Sequence, residues 1–239
     1  MLTVIMSCSE NDSTSMQSVG QGGSTSRYTI QNNYLYVVDD VSLRVYSVGG
    51  GTFSQVSIQE VGFGIETIFS RPDYLYLGAN DGMYIYSLSN PERPGFVFRY
   101  SHILSCDPVV VQGNRAYVTM NNANADCGRG VNQLHIIDIT NKQNPAAVAI
   151  YNMTSPRGLG VDGTYLFVSE GPHGLKVLDI TDERNVFVRE SLTDIHAFDV
   201  IARANRLTVT GQDGIFQFSY PSDGDKVLKL LSKIPVTRL

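Results

Sequence analysis

Tryptophan is absent from these 239 residues, and no run of about 18 apolar residues occurs anywhere in them. The first absence argues against the propeller repeat whose signature includes a Trp–Asp pair. The second excludes a membrane-spanning helix from the sequence. Charge is sparse, with 17% Asp, Glu, Lys and Arg, a net charge of −5 and no cluster of basic residues. Nucleic-acid binders present a basic face, so nucleic acid is not an expected partner. No segment pairs a 3.6-residue apolar period with helix caps, which predicts almost no helix. A nucleophile-elbow motif, a phosphate-binding loop and a paired-histidine zinc motif are also missing. Asn80-Asp81-Gly82 and Gln212-Asp213-Gly214 lack EF-hand spacing and read as hairpin turns. Neither a metal nor a cofactor is expected.

What is present is a strand-rich unit in five copies. Tyr34-Leu35-Tyr36-Val37 returns as Tyr74-Leu75-Tyr76-Leu77, Arg115-Ala116-Tyr117-Val118, Tyr165-Leu166-Phe167-Val168 and Arg206-Leu207-Thr208-Val209, at spacings of 40, 41, 50 and 41 residues. A second motif follows each: Val45-Tyr46-Ser47-Val48, Ile85-Tyr86-Ser87-Leu88, Ile136-Ile137-Asp138-Ile139, Val177-Leu178-Asp179-Ile180 and Gln217-Phe218-Ser219-Tyr220. A period near 40 with several short strands per unit signals radial repetition. The expected fold is all-β: a five-bladed β-propeller of four-stranded antiparallel blades. The expected blades are about 27–62, 63–104, 105–154, 155–194 and 195–236, preceded by a separate segment 1–26. In the fourth unit, strands A to D are expected at 158–161, 165–169, 175–180 and 186–192. Closure is expected from blade-to-blade packing, without strand exchange between the termini. The third unit carries some ten extra residues, 121–130, between strands B and C; a loop that long is either functional or tolerated.

Residues 1–26 stand outside the repeat. Ile5-Met6-Ser7-Cys8 ends an apolar stub and resembles the lipobox of bacterial lipoproteins, in which the cysteine carries lipid. Ser9-Glu10-Asn11-Asp12-Ser13 resembles the export signal of Bacteroidetes surface lipoproteins. The resemblance implies a lipidated Cys8, a flexible Ser/Gly tether and a location at the outer membrane, with exposure at the cell surface as one form of it. No basic residue precedes the stub, which is short for a working signal, so a start upstream of Met1 or trimming is implied. The alternative is a plain tail with a free thiol.

The C–D turns also repeat: Ser87-Leu88-Ser89-Asn90-Pro91-Glu92-Arg93-Pro94 matches Asp138-Ile139-Thr140-Asn141-Lys142-Gln143-Asn144-Pro145. These strands and turns resemble the LVIVD repeat of bacterial and archaeal surface or secreted propellers, over residues 27–236. The first and fifth copies depart from it, with Ser47 and Ser219 in place of Asp and no Asn-Pro turn. The resemblance implies a propeller in a cell-envelope setting and supplies no catalytic residues.

Three cysteines occur. Cys106 immediately precedes strand A of the third unit and Cys127 lies in its B–C loop. Antiparallel pairing of A and B brings both to one end of the blade, so a Cys106–Cys127 disulfide is expected in an oxidising compartment; two unrelated thiols are the alternative.

The A–B and C–D turns share one face of such a blade, where the fixed Asn-Pro geometry reads as structural. The D–A connections and B–C loops share the other, the better binding face. Counting back eight residues from each strand B motif gives Ser26, Glu66, Asp107, Arg157 and Phe198, at the channel mouth if A is innermost, with His196 and Asp199 flanking the last. Glu66, Asp107, Arg157, His196 and Asp199 are the candidate ligand-binding residues; a water-filled plug of mutual salt bridges is the alternative. An arginine there favours an anionic partner over a bare cation. His173 and His135 read as surface residues, and His102 lies near the same face. The expected function is a lipid-anchored envelope module that binds a protein, a glycan or a small anionic ligand. An enzyme is the less favoured alternative, a propeller hydrolase or lyase working at the channel mouth; no catalytic residue is assigned.

Overall fold

The computed structural model describes residues 22–101, 108–122, 131–220 and 227–236. Twenty strands form five sheets, each of four consecutive strands in sequence order. The first blade holds β1 (Tyr28–Gln31), β2 (Tyr34–Val38), β3 (Ser42–Gly49) and β4 (Thr52–Glu60). The second holds β5 (Ile65–Arg71), β6 (Tyr74–Ala79), β7 (Gly82–Ser87) and β8 (Gly95–Ser101). The third holds β9 (Val109–Gln112), β10 (Arg115–Met120), β11 (Gln133–Asp138) and β12 (Ala146–Asn152). The fourth holds β13 (Leu159–Asp162), β14 (Tyr165–Ser169), β15 (Leu175–Asp179) and β16 (Phe187–Leu192). The fifth holds β17 (Ala197–Arg203), β18 (Arg206–Gly211), β19 (Gly214–Ser219) and β20 (Lys229–Pro235). All pairings are antiparallel, and no described strand is exchanged between first and last blades. The protein is an all-β propeller of five four-stranded blades. The inner strands pack in succession, β1 on β5, β5 on β9, β9 on β13 and β13 on β17.

The turns follow from residues that tolerate positive φ. Asn32-Asn33 (φ 51° and 64°) closes the β1–β2 hairpin, and Ala204-Asn205 (φ 49° and 61°) closes β17–β18, the two-residue geometry that matches strand twist. Every C–D pair carries a register shift at the same place, after Val45, Ile85, Ile136, Val177 and Gln217. A bulge there bends the outer strand and increases its twist. The aspartate of the second motif has a local role: Asp138 Oδ1 accepts the Thr140 amide at 2.8 Å and Asp179 Oδ1 the Thr181 amide at 3.0 Å. One turn later Asn90, Asn141 and Asp182 each accept the amide two residues on. These Asx turns end strand C and aim the loop at the neighbouring blade.

That aim produces a bracket between blades. In the first three blades the first residue of the strand B motif meets the C–D turn of the next blade: the Tyr34 hydroxyl donates to Glu92 Oε1 at 3.0 Å, Lys142 Nζ lies 4.8 Å over the Tyr74 ring, and Arg115 Nε donates to Glu183 Oε2 at 2.5 Å. Two positions on, the Tyr36 hydroxyl donates to the Pro91 carbonyl at 2.9 Å. The C–D turns therefore join blades, which is the structural part expected of their Asn-Pro geometry.

Apolar side chains fill the spaces between blades. One cluster joins the first and second blades, another the second, third and fourth, and a third the fourth and fifth, with Phe167 and Tyr220 rings 4.7 Å apart. Among the described residues no apolar cluster joins the fifth blade to the first. The repeat explains this. Tyr36, Tyr76, Tyr117 and Phe167 face the following blade and are buried, but the fifth copy has Thr208, and Gln217 stands where Val45, Ile85, Ile136 and Val177 are buried. On the facing side Leu35 and Val37 remain partly exposed, while their counterparts in the other four blades are buried. Polar contacts hold this seam instead. Ser24, 1% exposed, donates from Oγ to Asp199 Oδ1 at 3.0 Å and accepts the Leu159 amide at 2.7 Å. Thr25 Oγ1 donates to Asp199 Oδ2 at 2.6 Å, and the Ser26 carbonyl accepts the Ile68 amide at 2.8 Å. Residues 22–26, assigned to the tether by composition, thus bond to the second, fourth and fifth blades. A polar stretch without periodicity gives no sequence signal for such docking.

Candidate functional site

The two ends of the channel are the two cavities of note. At the strand A starts, a cavity of about 320 Å³ is lined by Thr25, Arg27, Glu66, Thr67, Pro108, Asn121, Pro156, Arg157, Gly158 and Phe198. Counting along the repeat therefore brings Glu66, Arg157 and Phe198 to one wall, from the second, fourth and fifth blades. Asp107 lies outside the described residues, as do His102, Cys8, Cys106 and Cys127, so the disulfide and the lipidation site lie there too.

Arg157 is placed by its backbone. Its amide donates to the Ser169 carbonyl at 2.7 Å, and its carbonyl accepts from Thr119 Oγ1 at 2.6 Å. Asn121 Nδ2 donates to the preceding Pro156 carbonyl at 2.6 Å. The end of β10 thus clamps the residues that lead into β13. The guanidinium lies against Gly171: a Cβ there would sit 2.7 Å from Arg157 Nε, and Gly171 has φ +55°. Only glycine meets both demands without strain. Arg157 Nε is buried without a hydrogen-bond partner, and no described carboxylate forms an ion pair with this arginine. Glu66 is half-buried and has a partner of its own.

The two flanking candidates are committed elsewhere. Asp199 accepts from Ser24 Oγ, Thr25 Oγ1, the Thr25 amide and the Val200 amide. Burial pushes its carboxyl above the ordinary range, and those hydrogen bonds offset part of the rise. Gly23 and Gly158 leave the space it occupies, since a Cβ at either would meet a carboxylate oxygen at 2.0 Å. Asp199 is a fastener of the seam and does not line the cavity. The His196 ring packs against Phe198 at 5.0 Å and is likewise off the wall. His135 corrects the sequence reading. It is 6% exposed, because the outward alternation of β11 faces the preceding blade, where Tyr100 meets its ring edge-on at 6.4 Å. His173 is exposed.

The larger cavity, about 480 Å³, lies at the opposite end, among the A–B turns. Its wall includes Arg71, Gln112, Asp162 and Arg203, which stand three residues before the strand B motifs of the second to fifth blades. The repeat count that gives the first mouth also gives these positions, which share their face with the Asn-Pro turns. Among the described residues no group of three or more His, Cys, Asp or Glu is placed to hold a metal, and no helix is long and apolar enough to cross a membrane.

Comparison with known proteins agrees with the repeat. The chain carries LVIVD repeats: the model of that repeat matches residues 71–102, 105–153 and 156–191, within the second, third and fourth blades. No curated protein matches the chain. Among solved structures, a functionally unknown protein from Desulfotomaculum acetoxidans superposes with a TM-score of 0.72 at 12% identity, over 91% of this chain and 71% of that one. The computationally designed Ika8 protein gives 0.63 at 11%, over 87% of this chain and 60% of its own. Apo AztD from Citrobacter koseri gives 0.62 at 11%, over 89% and 63%. At such identities the likeness shows a shared fold. This chain spans less than two thirds of the last two.

Proposed function

We propose that this chain is a binding module of the bacterial cell envelope that takes an anionic group of a small molecule, glycan or peptide at the strand-A mouth of its channel. The observation that carries this reading is Arg157, a guanidinium on the cavity wall with Nε buried and no ion pair among the described residues. A planar fork of donors without a counter-charge favours a carboxylate or phosphate. Phe198 adds an apolar surface and Glu66 a second polar contact on the same wall. The hydrolase or lyase alternative gains no pair of acids, since Glu66 is the one carboxylate of the described wall.

The test is titration of the full chain with galacturonate, acetate and inorganic phosphate, followed by calorimetry and by the amide signals of Gly158 and Phe198. Saturable binding that Arg157→Ala abolishes, with little change in melting temperature, supports the site. Binding untouched by Arg157→Ala, or a variant that melts several degrees lower while no ligand is bound by either protein, overturns it in favour of a structural plug.

The envelope part of the reading rests on the resemblance of residues 5–13 to lipoprotein export signals. It places lipid on Cys8 and a disulfide between Cys106 and Cys127. Partition of the native protein into detergent, lost in Cys8→Ala, supports the anchor, and persistent solubility of the native form overturns it. Alkylation without reductant followed by mass spectrometry decides the disulfide; two labelled thiols in freshly made periplasmic protein rule it out.

A further inference from the structure

The cavity among the A–B turns shows the stronger unmet demand for a ligand. Arg71 ends β5 with its guanidinium more than half buried over the Phe69 ring, 5.2 Å from the ring centre. One terminal nitrogen donates to the Val111 carbonyl of the third blade. Nε is buried with no acceptor, and no described carboxylate forms an ion pair with Arg71. Burial pushes its pKa below the ordinary arginine range; the Tyr76 phenol offsets part of this and no carboxylate contributes. Lys142 reaches the same wall from the C–D turn of the third blade. Its ammonium donates to the Ile139 carbonyl at 3.2 Å and lies over Tyr74, also without an ion pair among the described residues. Arg203 also lines the wall and has a partner of its own.

The acids there do not cancel this charge. Asp162 accepts the Tyr220 hydroxyl at 2.8 Å, and Asp73 lies on the turn beside Arg71. Neither carboxylate forms an ion pair with Arg71 or Lys142. The neighbouring amide is also occupied, since Gln112 is tied at both ends to Gly163, at 2.8 and 2.9 Å. A half-buried cation normally acquires a counter-charge, because desolvation without one is costly. Here the counter-charge must come from what fills 480 Å³ of open cavity, a volume within the range of small-molecule sites.

We propose that this end of the channel is a second binding site, for a small carboxylate- or phosphate-bearing anion held by Arg71 and Lys142. It stands independently of the Arg157 site, with which it shares no wall residue.

The experiment is titration of the full chain at low ionic strength with inorganic phosphate and, separately, citrate, read at the amide signals of Gly113 and Ala204. Saturable movement of those signals is expected. Arg71→Gln and Lys142→Ala should each weaken it about tenfold or more, the weight of one charge-assisted hydrogen bond, while Arg157→Ala leaves it unchanged. A response to phosphate alone identifies a phosphate site, and a response to citrate alone a carboxylate site. If Arg71→Gln fails to fold because the bond to Val111 is a strut between blades, Lys142→Ala decides. Signals that stay still with both anions, or move equally in the Lys142→Ala variant, overturn the proposal.

Discussion

Ser24 Oγ donates to Asp199 Oδ1 at 3.0 Å, joining residues 175 positions apart. The hydroxyl also accepts the Leu159 amide, so one side chain links the segment before the first blade to the fourth and the fifth. Asp199→Ala leaves the donors of Ser24 and Thr25 unmatched. It should cost about 1–3 kcal/mol by urea denaturation at neutral pH. The carboxyl of Asp199 is raised in the folded state, so the folded chain holds its proton to higher pH than the unfolded one. Its contribution is greatest below the unfolded pKa and declines as pH rises through the folded one. The gap between wild type and Asp199→Ala should therefore widen as pH falls from neutral to about 4. A constant gap contradicts this assignment.

The carboxylates of the turns respond with the opposite sign. Asp39 is held at about 2, first by the Ser42 hydroxyl and then by the Val41 amide. Asp138 is lowered by the Thr140 amide and Asp179 by the Thr181 hydroxyl. Depressed folded values give stability that is present above the unfolded pKa and lost as pH falls through the folded one. The urea midpoint should drop between pH about 4 and about 2, and Asp39→Asn should flatten the drop.

Glu183 is the half-buried member of the inter-blade bracket. It takes Arg115 Nε at 2.5 Å and the Tyr117 hydroxyl at 3.4 Å. Glu183→Ala should cost about 1–3 kcal/mol in denaturant, because Arg115 and Tyr117 both lose an acceptor. Glu92→Ala, on the exposed C–D turn of the second blade where Glu92 takes the Tyr34 hydroxyl, should cost under about 1 kcal/mol. Equal effects would show that the bracket has no energetic hierarchy.

Glu170 is fully buried beside Lys176, with Nζ 2.7 Å from Oε2 but outside hydrogen-bonding geometry, while Oε1 accepts the Thr154 amide at 3.0 Å. Lys176→Met should destabilise by about 3–5 kcal/mol, because the acid is left buried without its cation. The double variant Glu170→Gln/Lys176→Met should recover most of that loss. Failure to recover would place the effect in packing instead of charge.

The repeat made blade number and strand order legible, because strand B and strand C return with fixed hydrophobic phase. In the fourth blade the expected strand 165–169 is the observed β14. The same phase placed Glu66, Arg157 and Phe198 on one wall. It did not reveal that Asp199 is taken by Ser24 and Thr25, since those hydroxyls sit in a Ser/Gly stretch with no pattern to read. Nor did it reveal His135 as buried, because outward alternation in a blade means facing a neighbour as often as water. Arg71 and Lys142 meet across two blades at unlike positions of the repeat, a relation visible only once the blades are arranged around a channel.

Thr208 and Gln217 give the fifth unit a polar face where the other four are apolar. One unit stacks on the apolar face of another, and Thr208 and Gln217 present hydroxyl and amide groups there instead, as terminal repeats do in linear arrays. Replacing them with Phe and Val would give the last unit the adhesive face of the other four, and with it the capacity to recruit the first unit of another molecule.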